Sequence, residues 1–514
     1  MVDHVVGFEA DLGENAMRVV EADGHKLLLA KSGGRCHAVG STCPHAGAPL
    51  HEGVLHDGVV TCPWHKAAFQ LATGRRLEPP AVDDLPSFPV RIADGQIVVS
   101  LDEQPDRIDP VRHEADGDTR CIAIVGAGAA GTAAAQTLRE EGFGGRVVLI
   151  GREDRLPYDR TVLSKYSLSG KKGGEKTPLQ DASFYDRHRI ERKIGEVTQI
   201  ASAMRRLTFA DGSQLGFDAA LLATGGRPRP LDIPGHDLDG VHLLRTAVDA
   251  EAIVRTAGRA KRAVVIGAGY IGLEAAGSLR ERGLDVAVLA PQRAPLEKQL
   301  GADIGNVFRR IHERKGVMFH LGHEVSALEG SGQVERVLLN DGTILPADLV
   351  VAGLGISPET DLVYGLPQRR KDGGLETDRC LRVTDGLYAA GDIAAFPLHG
   401  SGERIRVEHW RVAEQHGRIA ALNMLGRSIP YNAVPYFWTI HYMQRLDYVG
   451  HAESWDEIVV DGDLEKPEFL AFYLRDGLVR AVAGWQRDRQ MASIIDLMTG
   501  RQDWHVTALR QAVG

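Results

Sequence analysis

Two stretches of this 514-residue chain repeat one pattern. Residues 120 to 154 read RCIAIVGAGAAGTAAAQTLREEGFGGRVVLIGRED, and residues 262 to 297 read RAVVIGAGYIGLEAAGSLRERGLDVAVLAPQRAPLE. In each, a short apolar run enters a Gly-x-Gly-x-x-Gly turn, a helical pattern follows, and a second apolar run closes the unit. Strand, glycine turn, helix and strand make the βαβ unit that binds a dinucleotide. Gly126, Gly128 and Gly131, with Ala130 in the same turn, let backbone approach a pyrophosphate at a helix N-terminus; Gly267, Gly269 and Gly272, with Ile271, repeat this. In the first copy Glu153 follows the second strand, where a carboxylate accepts a hydrogen bond from a ribose hydroxyl. Two such folds imply two dinucleotides, most economically a flavin and a nicotinamide. A duplication with one dead site is the alternative, weakened because both turns keep all three glycines.

Two later stretches suit a flavin on the first fold. LLATGGRPR (221 to 229) runs a strand into Thr224-Gly225, and GLYAAGDIAAFP (386 to 397) ends a strand at Gly391-Asp392, whose carboxylate suits a ribityl hydroxyl. Each alone could be an αβ turn; after a glycine-loop fold, FAD is the better account.

Near the N-terminus, residues 41 to 65 read STCPHAGAPLHEGVLHDGVVTCPWH. Cys43 and His45, then Cys62 and His65, pair one thiol with one imidazole in each loop. Zinc sites with two of each usually place the cysteines together and the histidines together. One of each per loop suits a [2Fe–2S] cluster whose two irons take two thiolates and two imidazoles, which raises its potential above that of all-cysteine clusters. The stretch resembles Rieske ferredoxins. Ala48 stands where the respiratory-complex members could carry an extra cysteine, which favours the ferredoxin-like branch.

The length predicts two to four domains. Around the cysteines, from 16 to 101, short β-like runs are split by Gly and Asp, an all-β pattern. A polar, proline-containing segment follows and reads as a linker. The composition, 43% hydrophobic and 25% charged, is that of a globular protein, and 59 glycines suit many tight turns. No 18-residue apolar run and no basic-then-apolar leader occur, so no membrane span and a cytoplasmic location are expected. A net charge of −9 without a basic tract argues against nucleic acid. Residues 1 to 104 hold 8 Lys/Arg and 14 Asp/Glu, an acidic balance that suits an electron carrier but equally a solvated face. Cys36, Cys121 and Cys380 are too scattered for a disulfide framework and are expected as buried free thiols.

Residues 120 to 514 resemble flavoprotein reductases with two dinucleotide domains, namely the ferredoxin reductases serving bacterial oxygenases and the apoptosis-inducing-factor-like flavoproteins. The resemblance is carried by LPYDRTVLSK (156 to 165), ATGGRPR, GAGYIGLEAA, AAGDIA, VEHWRVAEQHGRIAALNMLG (407 to 426) and VPYFWTIHY (434 to 442). It implies an FAD-binding domain in two parts (120–240 and 356–428), an NAD(P)H-binding domain inserted between them (241–355), and an α+β C-terminal interface domain (429–514); an all-β Rieske domain (1–104) and a linker (105–119) are expected ahead of them. It implies further that Arg160 and Lys165 lie along the flavin, and that Lys165 faces Glu274 in an ion pair positioning the nicotinamide. Trp438 would lie beside the isoalloxazine with Trp410 close by, Glu408 would reach the nicotinamide pocket, and Val197 and Arg227 would touch cofactor.

Two departures from the pattern matter. TVLSKYSL carries no Cys-x4-Cys, which excludes dithiol chemistry. The acid expected after the second strand of the NAD(P)H fold is Ala290, with Gln292 and Arg293 beyond it, so nicotinamide selectivity is open between NADH, favoured here, and NADPH. The expected activity is an NAD(P)H-dependent electron relay from FAD to the Rieske cluster to an external acceptor, an oxygenase or another iron-dependent terminal enzyme. The alternative is a redox-sensing interaction protein with slow NADH oxidation. A monomer or homodimer is expected.

Overall fold

The computed structural model describes residues 2–101, 108–111, 117–170, 178–363, 369–501 and 503–513. Its N-terminal part is built of three small antiparallel sheets. Met17–Ala22, His25–Ser32, Arg35–Gly40 and Ser87–Phe88 form the middle one. The run Leu27-Leu28-Leu29-Ala30 is apolar without alternation because both faces of its strand are covered. Leu27 and Leu29 meet Ile97 and Val99 on one side, while Leu28 and Ala30 meet Cys43, Leu50, Cys62 and Phe69 on the other. Val54–His56, Val59–Thr61, Ala68–Gln70 and Arg76–Glu78 form the sheet that carries the Cys/His loops. The third sheet includes Val2–Phe8, paired with Gln96–Leu101. The β pattern of the sequence starts at residue 16 and misses this strand. It lies at the sheet edge and is largely exposed, so no alternation marks it.

Two sheets follow, the second wholly parallel and the first parallel except for its antiparallel edge strand Arg382–Thr384. The first orders Ile190–Ile194, Arg146–Gly151, Cys121–Val125, Ala219–Leu222, Leu387–Ala389 and Arg382–Thr384; the second orders Val241–Leu243, Leu349–Ala352, Arg262–Ile266, Asp285–Ala290 and Met318–Leu321. Runs such as IAIV, VVLI and AALL are apolar throughout because each strand is buried on both faces. Every strand of the second sheet lies, in sequence, between Ala219–Leu222 and Leu387–Ala389, which are direct neighbours in the first.

The C-terminal part is a five-stranded antiparallel sheet, Tyr436–His441, Gln444–Gly450, Leu478–Trp485, Glu468–Arg475 and Glu457–Asp463. Alternation along its strands feeds two cores. Tyr436, Val449 and Phe472 pack under the helix Asp488–Gly500, while Tyr448, Phe469, Tyr473 and Trp485 join the core of the second parallel domain.

The segment expected as a linker is described at 108–111 and 117–119; the rest lies outside the described residues. Ile108 exchanges backbone hydrogen bonds with Asp84, at 2.9 and 3.1 Å. Asp109 meets His188 of the first parallel domain at 2.7 Å. The cluster domain itself sits against the reductase through buried polar contacts. Lys66 pairs with Asp447 at 2.7 Å, the two side chains 0% and 2% exposed. Arg76 pairs with Glu140 at 2.5 Å, and Arg411 donates to the carbonyls of Pro79 at 2.9 Å and Lys66 at 3.2 Å.

Candidate functional site: two centres and one shared indole

The two Cys/His loops are built alike. The N–H of Cys43 donates to the carbonyl of Ala48 at 2.8 Å and that of Cys62 to the carbonyl of Ala67 at 2.8 Å. Four residues after each cysteine the backbone turns left-handed, at Gly47 (φ +81°) and at Lys66 (φ +61°). A lysine holds this conformation at a cost of about 1 kcal/mol, and its side chain is then committed to Asp447.

Like donors lie together. The thiols of Cys43 and Cys62 share a hydrogen bond, and the Nδ1 atoms of His45 and His65 approach to 3.1 Å. The Cys43 thiol pulls the Cys62 thiol below the usual thiol range, against burial, while the same contact and burial raise Cys43. Burial holds His65 well below the usual imidazole range, so it presents a neutral ring. Among the described residues no three His, Cys, Asp or Glu side chains gather closely enough to hold a single metal ion. A sulfur pair beside a nitrogen pair fits a two-iron group with unlike ends, and does not fit one tetrahedral zinc. The loops differ in exposure: Ala46 and Gly47 are exposed, while 62, 63 and 65 to 67 are buried.

Beside them opens a cavity of about 1220 Å³, above the roughly 300–1,000 Å³ that holds one small ligand. Both glycine turns line it, through Gly126, Gly128 and Ala130 and through Gly267, Gly269 and Ile271. Gly128 and Gly269 cap the helices Ala129–Glu140 and Tyr270–Glu281 with no side-chain cap, which leaves the first N–H groups for an anion. At Gly126 (φ +117°) a Cβ would stand 2.1 Å from the carbonyl of Ala223. Gly131 and Gly272, expected at the ligand, do not line the cavity. A Cβ there would stand 1.8 and 2.1 Å from the carbonyls of Gly126 and Gly267, so these glycines let each helix close on its own turn.

Around the first turn, Glu153 is held by the Arg160 guanidinium and by the Tyr158 hydroxyl at 2.8 Å. Thr224 donates to the carbonyl of Glu359 at 2.6 Å, and Gly225 and Val197 line the wall beside it. Arg227 also lines the wall but its guanidinium reaches Asp361 at 2.7 Å. Gly391 and Asp392 face the cavity, and Asp392 accepts from Arg245 at 3.0 Å, a partner that no motif announces. Glu408 and Trp410 line the same space, with Glu408 paired to Arg406 at 2.6 Å. No cysteine lies among the lining residues. Cys36, Cys121 and Cys380 are free and half-buried, where full burial is the expectation from sequence.

Between the two glycine turns Lys165 meets Glu274 at 3.0 Å, with side chains 9% and 2% exposed. Glu274 has two further donors, Ser164 to the same oxygen at 2.5 Å and Thr439 to the other at 2.6 Å. Ser164 could be suspected as the neighbour of Lys165; nothing in the sequence points to Thr439. Beyond the second fold, Ala290 is buried, Gln292 and Lys298 line the cavity, and Arg293 does not.

Trp438 joins the two centres. It lines the cavity, and its ring centroid lies 4.5 Å from that of His65 and 6.3 Å from that of His45.

The family model described as pyridine nucleotide-disulphide oxidoreductase matches residues 120–417, that of the Rieske [2Fe-2S] domain residues 3–89, and that of the reductase C-terminal domain residues 436–513. Apoptosis-inducing factor 3 of Mus musculus is 35% identical over 97% of this chain and 84% of its own. The ferredoxin–NAD(+) reductase subunit of the benzene 1,2-dioxygenase system of Pseudomonas putida is 36% identical over 72% of this chain and 90% of its own. Among solved structures, the covalent putidaredoxin reductase–putidaredoxin complex superposes with a TM-score of 0.72 at 32% identity, covering 76% of this chain and 96% of that one.

Proposed function

Since the chain belongs to the pyridine nucleotide-disulphide oxidoreductase family and carries a Rieske [2Fe-2S] domain ahead of it, we propose that its own cluster takes up, in place, the electrons it draws from NAD(P)H. The protein is an FAD-dependent NAD(P)H oxidoreductase of the ferredoxin-reductase type. The observation that carries the proposal is the position of Trp438, one ring wide between the dinucleotide cavity and His65.

In this reading Cys43 and Cys62 would hold one iron as thiolates, and His45 and His65 would hold the other through the Nδ1 atoms they bring together. The first glycine turn, Glu153, Thr224 and Asp392 hold FAD, and the second turn holds the nicotinamide dinucleotide. Bound FAD supplies the conversion of a two-electron hydride into the one-electron steps a Rieske cluster accepts. Lys165, fixed by Glu274 and by the carbonyl of Thr161 at 3.1 Å, orients the nicotinamide. The docked cluster domain keeps water from the Trp438 side of the cavity. The exposed Ala46-Gly47 edge is where an outside acceptor meets the cluster, since the second loop is covered.

The acceptor is an iron-dependent terminal enzyme of the oxygenase kind, by analogy with the dioxygenase-system relative. The protein acts in the cytoplasm as a monomer or homodimer, and light scattering tests the latter. Among the described residues no helix is long and apolar enough to cross a membrane.

Cys62→Ser tests the order of the centres. Cluster loss should leave NAD(P)H-dependent ferricyanide reduction intact and abolish cytochrome c reduction. Cytochrome c reduction at the parent rate would place the exit at the flavin. A redox-sensing interaction protein, the alternative reading, would oxidise NADH slowly whatever one-electron acceptor is offered.

A further inference from the structure

Glu274 is 4% exposed, yet the reaction beside it moves charge and protons. Each NAD(P)H yields a hydride, equivalent to one proton and two electrons. Its arrival makes the site more negative, and departure of the electrons reverses that change.

A line of hydrogen bonds leads away from Glu274. Thr439 Oγ lies 2.6 Å from Glu274 Oε1 and 2.9 Å from His441 Nε2. His441 Nδ1 lies 3.1 Å from His312 Nε2, and His312 Nδ1 lies 3.1 Å from the Tyr442 hydroxyl. Thr439, His441 and His312 are 1%, 2% and 0% exposed, and Tyr442 is half-buried with the Lys315 ammonium over its ring. The line crosses from the C-terminal strand Tyr436–His441 to the helix Ala302–Arg314 of the second parallel domain. None of these four residues lines the cavity.

The proton order along it is determined. A carboxylate can only accept, so the Thr439 hydroxyl donates to Glu274. Thr439 Oγ therefore accepts from His441, which must carry its proton on Nε2. His441 Nδ1 is then bare and accepts from His312 Nε2–H, and His312 Nδ1 accepts from Tyr442. Burial holds both imidazoles far below their usual range, His441 at about 3, so each is neutral with one proton. The charged groups near the line are Lys165 beside His441, and Lys315, Arg280 and Glu281 around Tyr442.

We propose that Thr439, His441, His312 and Tyr442 form a proton connection between Glu274 and the surface, through which the charge on Glu274 follows the charge of the dinucleotide site. Inward, Tyr442 passes its proton to His312 Nδ1 and takes another from water. His312 passes its Nε2 proton to His441 Nδ1, His441 passes its Nε2 proton to Thr439, and Thr439 passes its own to Glu274. Every atom keeps its valence and one proton has entered; the reverse shift returns it. The proposal rests on the reading that Lys165 and Glu274 stand at the reacting site.

Long-range ¹H–¹⁵N spectra of the full chain, labelled at histidine, should show His312 and His441 neutral and protonated at Nε2. Anaerobic stopped-flow of the holoenzyme with a pH-indicator dye then tests transport. In Tyr442→Phe and in His312→Phe, the proton uptake that accompanies reduction by NADH should be slowed about fivefold or more relative to the parent, with NADH affinity unchanged. Nδ1 protonation of either ring in the oxidised protein, or unchanged uptake in both variants while Glu274→Gln abolishes it, overturns the connection. If Glu274→Gln also leaves it unchanged, the site reading fails first and the connection with it.

Discussion

Trp438 and His65 meet ring to ring at 4.5 Å, although 372 residues separate them in the chain. One aromatic side chain thus both lines the dinucleotide cavity and touches the cluster loop. Trp438→Ala should leave NAD(P)H reduction of the flavin close to the parent rate and slow cluster reduction by about tenfold or more, about 1.4 kcal/mol in barrier. Stopped-flow at flavin and cluster wavelengths separates the two phases. Equal slowing of both would show that the indole serves nucleotide binding instead.

Lys66 and Asp447 fasten the cluster domain. Removing one partner of such a buried pair costs about 3–5 kcal/mol, whereas replacing both with apolar groups is often near neutral. Lys66→Met should therefore lower the thermal midpoint and free the domain to limited proteolysis, and adding Asp447→Leu should recover much of the loss. Lys66→Gly relieves the left-handed backbone and still loses the contact, so it should be less stable than the double variant. A single variant as stable as the parent would sink this account.

Lys165 and Glu274 should behave as one unit. Lys165→Ala is expected to slow hydride transfer with FAD still bound. Glu274→Ala on top should cost little more, since losses within an interacting pair are non-additive. Additive losses in stopped-flow would mean that the 3.0 Å contact is not used in turnover.

With Ala290 in place of an acid, and Arg293 off the cavity wall, selectivity should be loose. NADH and NADPH are expected to differ by less than about tenfold in kcat/KM, about 1.4 kcal/mol. Lys298, which does line the cavity, should carry what NADPH binding there is, so Lys298→Ala should raise the KM for NADPH and spare that for NADH. A hundredfold preference for either nucleotide in the parent contradicts this.

Much of the site is legible in the amino-acid sequence because its signals are local. The glycine turns and the Cys/His pairs are short motifs whose spacing already encodes a backbone shape. The contacts that join the parts are not local: Lys66 to Asp447, Trp438 to His65, and Thr439 to Glu274 each bring together residues more than a hundred positions apart, and no spacing announces them. Gly131 and Gly272 show the converse failure. The motif names them with their neighbours, while their steric role is to admit the helix, not the ligand. The edge strand Val2–Phe8 escapes a pattern search because its side chains are mostly exposed and pairing alone, through the backbone, makes it a strand.

The insertion of the second parallel domain bears on how the chain is made. Ala219–Leu222 leaves the ribosome with one edge facing Cys121–Val125 and the other awaiting Leu387–Ala389. At about 5–20 residues per second that wait lasts roughly ten to thirty seconds, during which an apolar strand edge stands open to mispairing. The inserted domain has all five strands of its own sheet once Leu349–Ala352 is out, so it can fold inside the pause and hold the two halves of its host near each other. The inserted domain is then an internal scaffold for the biogenesis of its host, and Arg382–Thr384 and Leu387–Ala389, emerging after it, complete the older sheet.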